Sequence, residues 1–113
     1  MKSKDMEILM KKIMTSVYDT HTSGQKEYAD DEDNVFANFE RIAYQMNVKK
    51  EFVLWVYLMK HIDGIASYIN GHISQREDVR GRITDAIVYL MLLWGMVENT
   101  QYPMQQSLGD EAV

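Results

Sequence analysis

Two charged residues lie within otherwise apolar helical patterns, and they are the first candidates for chemistry. Lys60 directly follows eight apolar residues, 52–59, and Asp85 lies midway along the last apolar pattern of the chain. The Lys60 stem could pack while its ammonium reaches solvent, or the ammonium could hold a phosphate. Asp is a poor helix-interior residue, so Asp85 either forms a salt bridge, with Arg82 or a neighbouring helix, or binds a ligand or a metal ion.

Glu77 is the carboxylate that could join Asp85 as a metal ligand, and Mg²⁺ is the cofactor considered. The two residues lie roughly 12 Å apart along a helix axis, which is a long span for one ion. The segment Ser74-Gln75-Arg76-Glu77 also matches a capping box, which explains Glu77 without a metal and predicts that the last helix opens there. The acidic run at 30–33 lacks the ligand spacing of an EF-hand loop, and a solvated lead into a helix is favoured.

Composition excludes several classes of site. The chain has no cysteine, which excludes a disulfide scaffold, a thiolate zinc site and a cysteine nucleophile. It has no glycine-rich phosphate loop and no H-E-x-x-H motif, and its three histidines do not show metal-ligand spacing. The net charge of −5 argues against a protein that coats nucleic acid, because that affinity depends on Lys and Arg neutralising phosphates.

Helical periodicity predicts the four helices that would position these residues. The first has about 16 residues with an inner face from Met6 to Val17, and a polar loop from Thr20 to Glu27 follows it. The second begins at Asp33 as its N-cap, includes Val35 and Phe36 in its inner face, and ends at Asn47 in a left-handed conformation. The third spans 52–69 and ends at Gly71, and the fourth continues from Val79 towards Pro103.

These elements predict an all-α, four-helix bundle-like single domain over residues 1–103, followed by a flexible tail over 104–113. The fourth helix is apolar on two sides, which indicates a central position or a helix shared with a second subunit, and we expect a homo-oligomer. No secretory signal is recognised, and the uncharged stretch 86–97 has 12 residues where a membrane span needs about 20. We therefore expect a cytoplasmic protein without membrane partners.

Short elements of the chain, taken in order, resemble a family of small helical proteins of tailed bacteriophages that are associated with nucleotide modification. Lys26-Glu27-Tyr28-Ala29 and Asn38-Phe39 correspond to the K-x-Y-G and N-F elements of that family. Lys60-His61, and Asp85 followed by Tyr89, correspond to its helix-ending lysine with a basic neighbour and to D-x-x-x-Y. The family is similar to the all-α nucleoside triphosphate pyrophosphohydrolases of the MazG kind, and the resemblance covers about residues 25–95.

The resemblance implies a nucleotide pocket between helices, in which a lysine meets phosphate, an aspartate meets a ribose hydroxyl or Mg²⁺, and aromatic rings stack on the base. Its candidate ligand-binding residues are Lys26, Tyr28, Asn38, Lys60, His61, Asp85 and Tyr89. The pyrophosphohydrolases hold Mg²⁺ with E-x-x-E and E-x-x-D elements. This chain has no E-x-x-E, and its E-x-x-D, Glu27 to Asp30, lies in the predicted loop.

Binding of a nucleotide or a nucleotide-derived ligand, with no catalytic residue assigned, is therefore the leading hypothesis. An alternative is a phage inhibitor of a host or anti-phage defence system, acting by protein binding through charge complementarity or by sequestering a nucleotide signal. A second alternative is a Mg²⁺-dependent nucleotide pyrophosphohydrolase, which the missing carboxylates disfavour because phosphoryl transfer needs metal. The two-sided fourth helix also suggests a structural assembly unit.

Overall fold

Four helices make up the fold. A computed structural model of the chain describes residues 1–28, 34–72 and 78–101, with only the backbone described for 25–28 and 101. Within these ranges the helices are α1 (Ser3–Tyr28), α2 (Ala37–Met46), α3 (Lys50–Ile69) and α4 (Val79–Gln101), and no strand occurs. The predicted all-α fold class is confirmed, while Pro103 and the tail at 104–113 lie outside the described residues. No helix in the described part of the chain has the length and apolarity needed to cross a membrane.

α1 is longer than its sequence predicts. It continues to Tyr28, so the whole segment from Thr20 to Glu27 is helical. The prediction of a polar loop there is wrong. Its C-terminal half stays helical because it packs on α4, which buries Val17 and partly buries His21. This packing overrides the low helix propensity of the Thr, Ser and Gly residues in the segment. The first twelve residues are exposed throughout, so α1 is anchored by its second half.

α2 begins later than predicted, and its end matches the prediction. Val35 and Phe36 form a turn before the helix, where the side-chain oxygen of Asn34 accepts the backbone N–H of Phe36 at 3.1 Å. Asp33, the predicted N-cap, lies outside the described residues. Asn47 ends the helix with a φ of 55°, so the predicted left-handed conformation is confirmed.

The end of α3 depends on a glycine. Gly71 has a φ of 89°, a conformation that residues with a Cβ adopt at a cost. This turn lets the N–H of His72 reach the carbonyl of Ser67, and the N–H of Gly71 reach that of Tyr68, both at 3.0 Å. The pair of hydrogen bonds is a Schellman motif, and it places the end of the helix where the glycine predicted it.

Asp78 caps α4. Its Oδ1 atom accepts the backbone N–H of Arg80 at 2.9 Å, and its Oδ2 atom pairs with the Arg80 guanidinium at 2.6 Å. These side-chain and backbone hydrogen bonds lower the pKa of Asp78 to about 2. The prediction that α4 opens at the capping box is wrong, because Asp78 is non-helical and α4 begins at Val79. The box itself, Ser74–Glu77, lies outside the described residues, and with it the candidate metal ligand Glu77.

α3 and α4 each pack on two other helices. α4 packs on α3 and on α1, and α3 packs in addition on α2. α3 and α4 run antiparallel, because Tyr57 meets Tyr89, whereas Gly64, later on α3, meets Arg82, earlier on α4. A Cβ at Gly64 would lie 2.5 Å from the Arg82 side chain, so this glycine allows the guanidinium to cross α3 closely.

The hydrophobic core joins α2, α3 and α4. Its buried residues are Phe36, Phe39, Ala43, Val53, Leu54 and Met96. Leu54 and Met96 are completely buried, and they are the largest side chains of which this is true in the described residues. A Cβ at Gly95 would lie 3.1 Å from the Phe36 ring, so the absence of a side chain there lets the turn before α2 pack against α4. This core fixes α2 and α3 against α4 and defines one wall of the cavity described next.

Candidate functional site

A cavity of about 440 Å³ lies between the four helices. α1 lines it with Thr20, His21 and Gly24, and the other helices supply aromatic and polar side chains. Its volume is within the range of roughly 300–1,000 Å³ that small-molecule sites occupy. Because every helix contributes to its lining, the site depends on the complete bundle rather than on one segment.

Three aromatic rings form one wall of the cavity. The ring centroids of Phe39 and Tyr57 are 5.9 Å apart, those of Phe39 and Tyr89 are 6.4 Å apart, and those of Tyr57 and Tyr89 are 6.2 Å apart. Both pairs that include Tyr89 are edge-to-face, the arrangement that the aromatic quadrupole favours. The three rings therefore fix one another and leave a rigid, apolar surface towards the cavity.

His61 and Asp85 form the polar part of the site. His61 Nδ1 lies 3.7 Å from Asp85 Oδ2, a distance that is too long for a hydrogen bond. The imidazole stacks on Tyr89 with centroids 5.5 Å apart and an interplanar angle of 29°. His61 Nδ1 is buried and makes no hydrogen bond within the described residues, so a ligand that bonds to it would offset a desolvation cost.

Asn38 brings an amide to the same cavity from α2. Its side-chain oxygen lies 3.5 Å from the Arg41 guanidinium, one turn along the helix. An amide offers both a donor and an acceptor, whereas an ionised carboxylate such as that of Asp85 only accepts. Asn38 and Asp85 can therefore recognise a ligand whose polar edge carries both kinds of group.

Tyr89 has a perturbed acidity. Its burial raises the pKa of the phenol above the usual value of 10.0, and the negative charges of Asp85 and of an ionised Tyr57 act in the same direction. The phenol therefore stays neutral well above neutral pH. A neutral hydroxyl can donate one hydrogen bond and accept another, which adds to the polar capacity of the cavity.

This raised pKa predicts a loss of stability in alkali. The folded protein holds the Tyr89 proton more tightly than the unfolded chain does, so the stabilisation is complete below the unfolded pKa and is lost as the pH rises through the folded pKa. We expect the wild type to lose stability above about pH 9 more steeply than Tyr89→Phe, which has no proton to lose. Urea-unfolding midpoints of the two proteins across this range measure the difference, and parallel curves would contradict the prediction.

The structure brings together four of the seven residues that the sequence nominated as ligand-binding. Asn38, His61, Asp85 and Tyr89 all line the cavity. Lys60 does not line it, because it is exposed on α3 and adjacent residues of a helix point about 100° apart.

The other nominated residues cannot be placed at the site. Lys26 and Tyr28 belong to the last turn of α1, where only the backbone is described. Glu77, the nominated partner of Asp85 for Mg²⁺, lies outside the described residues. Within the described ranges, no group of three or more His, Asp or Glu residues is placed to hold a metal ion.

Tyr57, His21 and Gly24 are among the lining residues that were not predicted as part of the site. Tyr57 precedes His61 by four positions, so the spacing that places two residues on one helix face could have identified it. His21 and Gly24 were assigned to a loop, and no signal in the sequence shows that this segment is helical and faces the cavity.

Comparisons with protein-family models, with curated proteins and with solved structures give no match to this chain. The function must therefore be argued from the geometry of the cavity.

Proposed function

We propose that the protein binds a nucleotide or a nucleotide-derived ligand, and that its base occupies the cavity between the four helices. One observation supports this proposal above all: aromatic rings and polar side chains line the same cavity. The rings are those of Phe39, Tyr57 and Tyr89, and the polar groups are those of Asn38 and Asp85. A nucleobase is a planar ring with a polar edge. Aromatic side chains bind its faces at about 1–3 kcal/mol per base, and polar side chains bind its edge.

The charges of the cavity favour the nucleoside end of such a ligand over its phosphates. Asp85 lines the cavity and would repel a phosphate placed beside it. The lysine nominated for phosphate, Lys60, is exposed and does not line the cavity. We therefore expect the base and the ribose to lie inside and any phosphate to lie at the mouth, where solvent reaches it.

Calorimetric titration with nucleosides, nucleoside mono- and triphosphates and cyclic nucleotides, with and without Mg²⁺, tests this proposal. We expect at least one nucleoside to bind, and its triphosphate to bind no more tightly. Asp85→Asn should weaken binding by about 10- to 100-fold, because a hydrogen bond to a charged group contributes about 1.5–3 kcal/mol. The matched control is Asp63→Asn, an exposed carboxylate of α3 that does not line the cavity.

Four outcomes would count against the proposal or change the class of function that it assigns. No binding by any member of the panel would reject the pocket as a nucleotide site. Equal losses in the Asp85 and Asp63 variants would show that the effect comes from overall charge. Release of phosphate or pyrophosphate at saturating ligand would identify a hydrolase instead, and preference for a cyclic nucleotide would favour sequestration of a signal.

A further inference from the structure

An apolar stripe of α4 remains accessible to solvent although α3 and α1 both pack on this helix. The residues of this surface, here called the α4 stripe, are Ile83, Ile87, Leu90, Trp94 and Val97, of which Ile87 is half-buried and the other four are exposed. Trp94 is 70% exposed and Leu90 is 51% exposed. Single exposed apolar residues are ordinary, but a continuous row of them along one helix marks an interaction surface.

The spacing of the α4 stripe indicates the shape of what covers it. Successive members are 4, 3, 4 and 3 positions apart, which is the heptad repeat of a coiled-coil seam. In heptad terms Ile87 and Trp94 are a positions, and Ile83, Leu90 and Val97 are d positions. Such a seam fits another helix that carries the same repeat, because the side chains of each fill the spaces of the other.

We propose that the α4 stripe binds the α4 stripe of a second copy of this chain, with the two helices antiparallel about a two-fold axis. An antiparallel seam pairs a positions with d positions. Ile87 then meets Leu90 of the second copy, and Trp94 meets Ile83, so that each large ring lies against a smaller side chain. The symmetry repeats both contacts, which makes the interface closed and self-complementary.

Charge at the two ends of the stripe selects the antiparallel orientation. Arg80 lies on the same helix face, one turn before Ile83, and Glu98 directly follows Val97. An antiparallel pair brings the Arg80 guanidinium, which also pairs with Asp78 of its own copy at 2.6 Å, beside Glu98 of the other copy, and it opposes the two helix dipoles. A parallel pair would instead align the two dipoles and place Glu98 beside Glu98 of the other copy.

Sedimentation equilibrium of the full chain tests the surface. We expect a dimer for the wild type and a loss of affinity of at least about 100-fold for Leu90→Glu, which places a charge at the centre of the seam. Tyr44→Glu is the matched control, since Tyr44 is 89% exposed on α2 and lies away from the stripe. Circular dichroism checks that both variants stay helical. A monomeric wild type, or equal effects of the two variants, would overturn the proposal.

Disulfide cross-linking tests the orientation of the two helices. Because the chain has no cysteine of its own, only the introduced cysteines can react. Arg80→Cys and Val97→Cys are prepared separately, mixed and oxidised. In the antiparallel pair the cysteine at position 80 of one copy lies beside the cysteine at position 97 of the other. Two cysteines at position 80 lie roughly 25 Å apart along the helix axis. We therefore expect a disulfide between the two variants in the mixture. Disulfides within each variant alone would show a parallel pair, and a dimer without any disulfide would show a different face, so either result overturns the proposal.

Discussion

Replacing Leu54 with alanine is expected to lower the free energy of unfolding by about 3 kcal/mol, within the range of roughly 2–5 kcal/mol measured for buried leucines. Leu54 is completely buried in the core that joins α2, α3 and α4. Truncation removes its burial and leaves a cavity that the antiparallel pair α3 and α4 cannot fully close. Urea unfolding followed by circular dichroism measures the loss.

The matched control for this substitution is Leu9→Ala. Leu9 belongs to the exposed first half of α1, where all of the first twelve residues are accessible to solvent. The same chemical change there should cost less than about 1 kcal/mol, because little apolar area is removed from contact with protein. Similar losses at both positions would show that the core does not surround Leu54 as described.

Replacing Gly24 with tryptophan is expected to abolish ligand binding while the protein stays folded. Gly24 lines the cavity from α1, and a Cβ built there meets nothing within 4 Å. A large side chain at this position can therefore enter the space that we assign to the base. The change should not weaken the helix, since glycine is the poorer helix former by about 0.5 kcal/mol.

Titration with the tightest nucleoside of the panel measures this effect, and thermal unfolding confirms the fold. We expect binding to fall below detection in Gly24→Trp and to remain in Gly24→Ala, which adds one carbon atom. Wild-type affinity in a folded Gly24→Trp protein would place the ligand elsewhere. Loss of binding in both variants would indicate that the α1 backbone, and not the volume of the cavity, determines affinity.

The fold could be predicted from the sequence wherever local pattern and tertiary packing agree. The apolar period of α3 and α4 is long and regular, and the positive φ angles at Asn47 and Gly71 follow from the residue types there, since Asn and Gly adopt this conformation most readily. The extent of α1 could not be predicted, because its polar residues stay helical only through contact with α4. The start of α4 was misplaced because two capping signals, Ser74 and Asp78, follow each other closely, and only the structure shows which one caps the helix.

The sequence could nominate residues of the types that line the candidate site, but it could not show which of them face the cavity. Asp85 and Tyr89 were nominated together through the D-x-x-x-Y element of the resemblance, and because they are four positions apart they share a helix face and both line the cavity. Lys60 and His61 are adjacent and must point in different directions, yet the sequence nominated both. Which of the two faces the cavity depends on the rotation of α3 against α4, and that is set by contacts such as the crossing of Arg82 over Gly64.

The two tryptophans of this protein lie outside the cavity, which separates their optical signal from that of the cavity wall. Trp55 and Trp94 are the two tryptophans of the chain, and both are exposed, with Trp94 on the α4 stripe. Among the residues that the structure describes, the cavity wall contains phenylalanine, tyrosine and histidine rings and no indole. Indole emission excited on the red side of the tyrosine band should therefore follow self-association, whereas the near-ultraviolet dichroism of the tyrosines should follow occupation of the cavity. One unlabelled sample can thus report dimerisation and ligand binding at two different wavelengths.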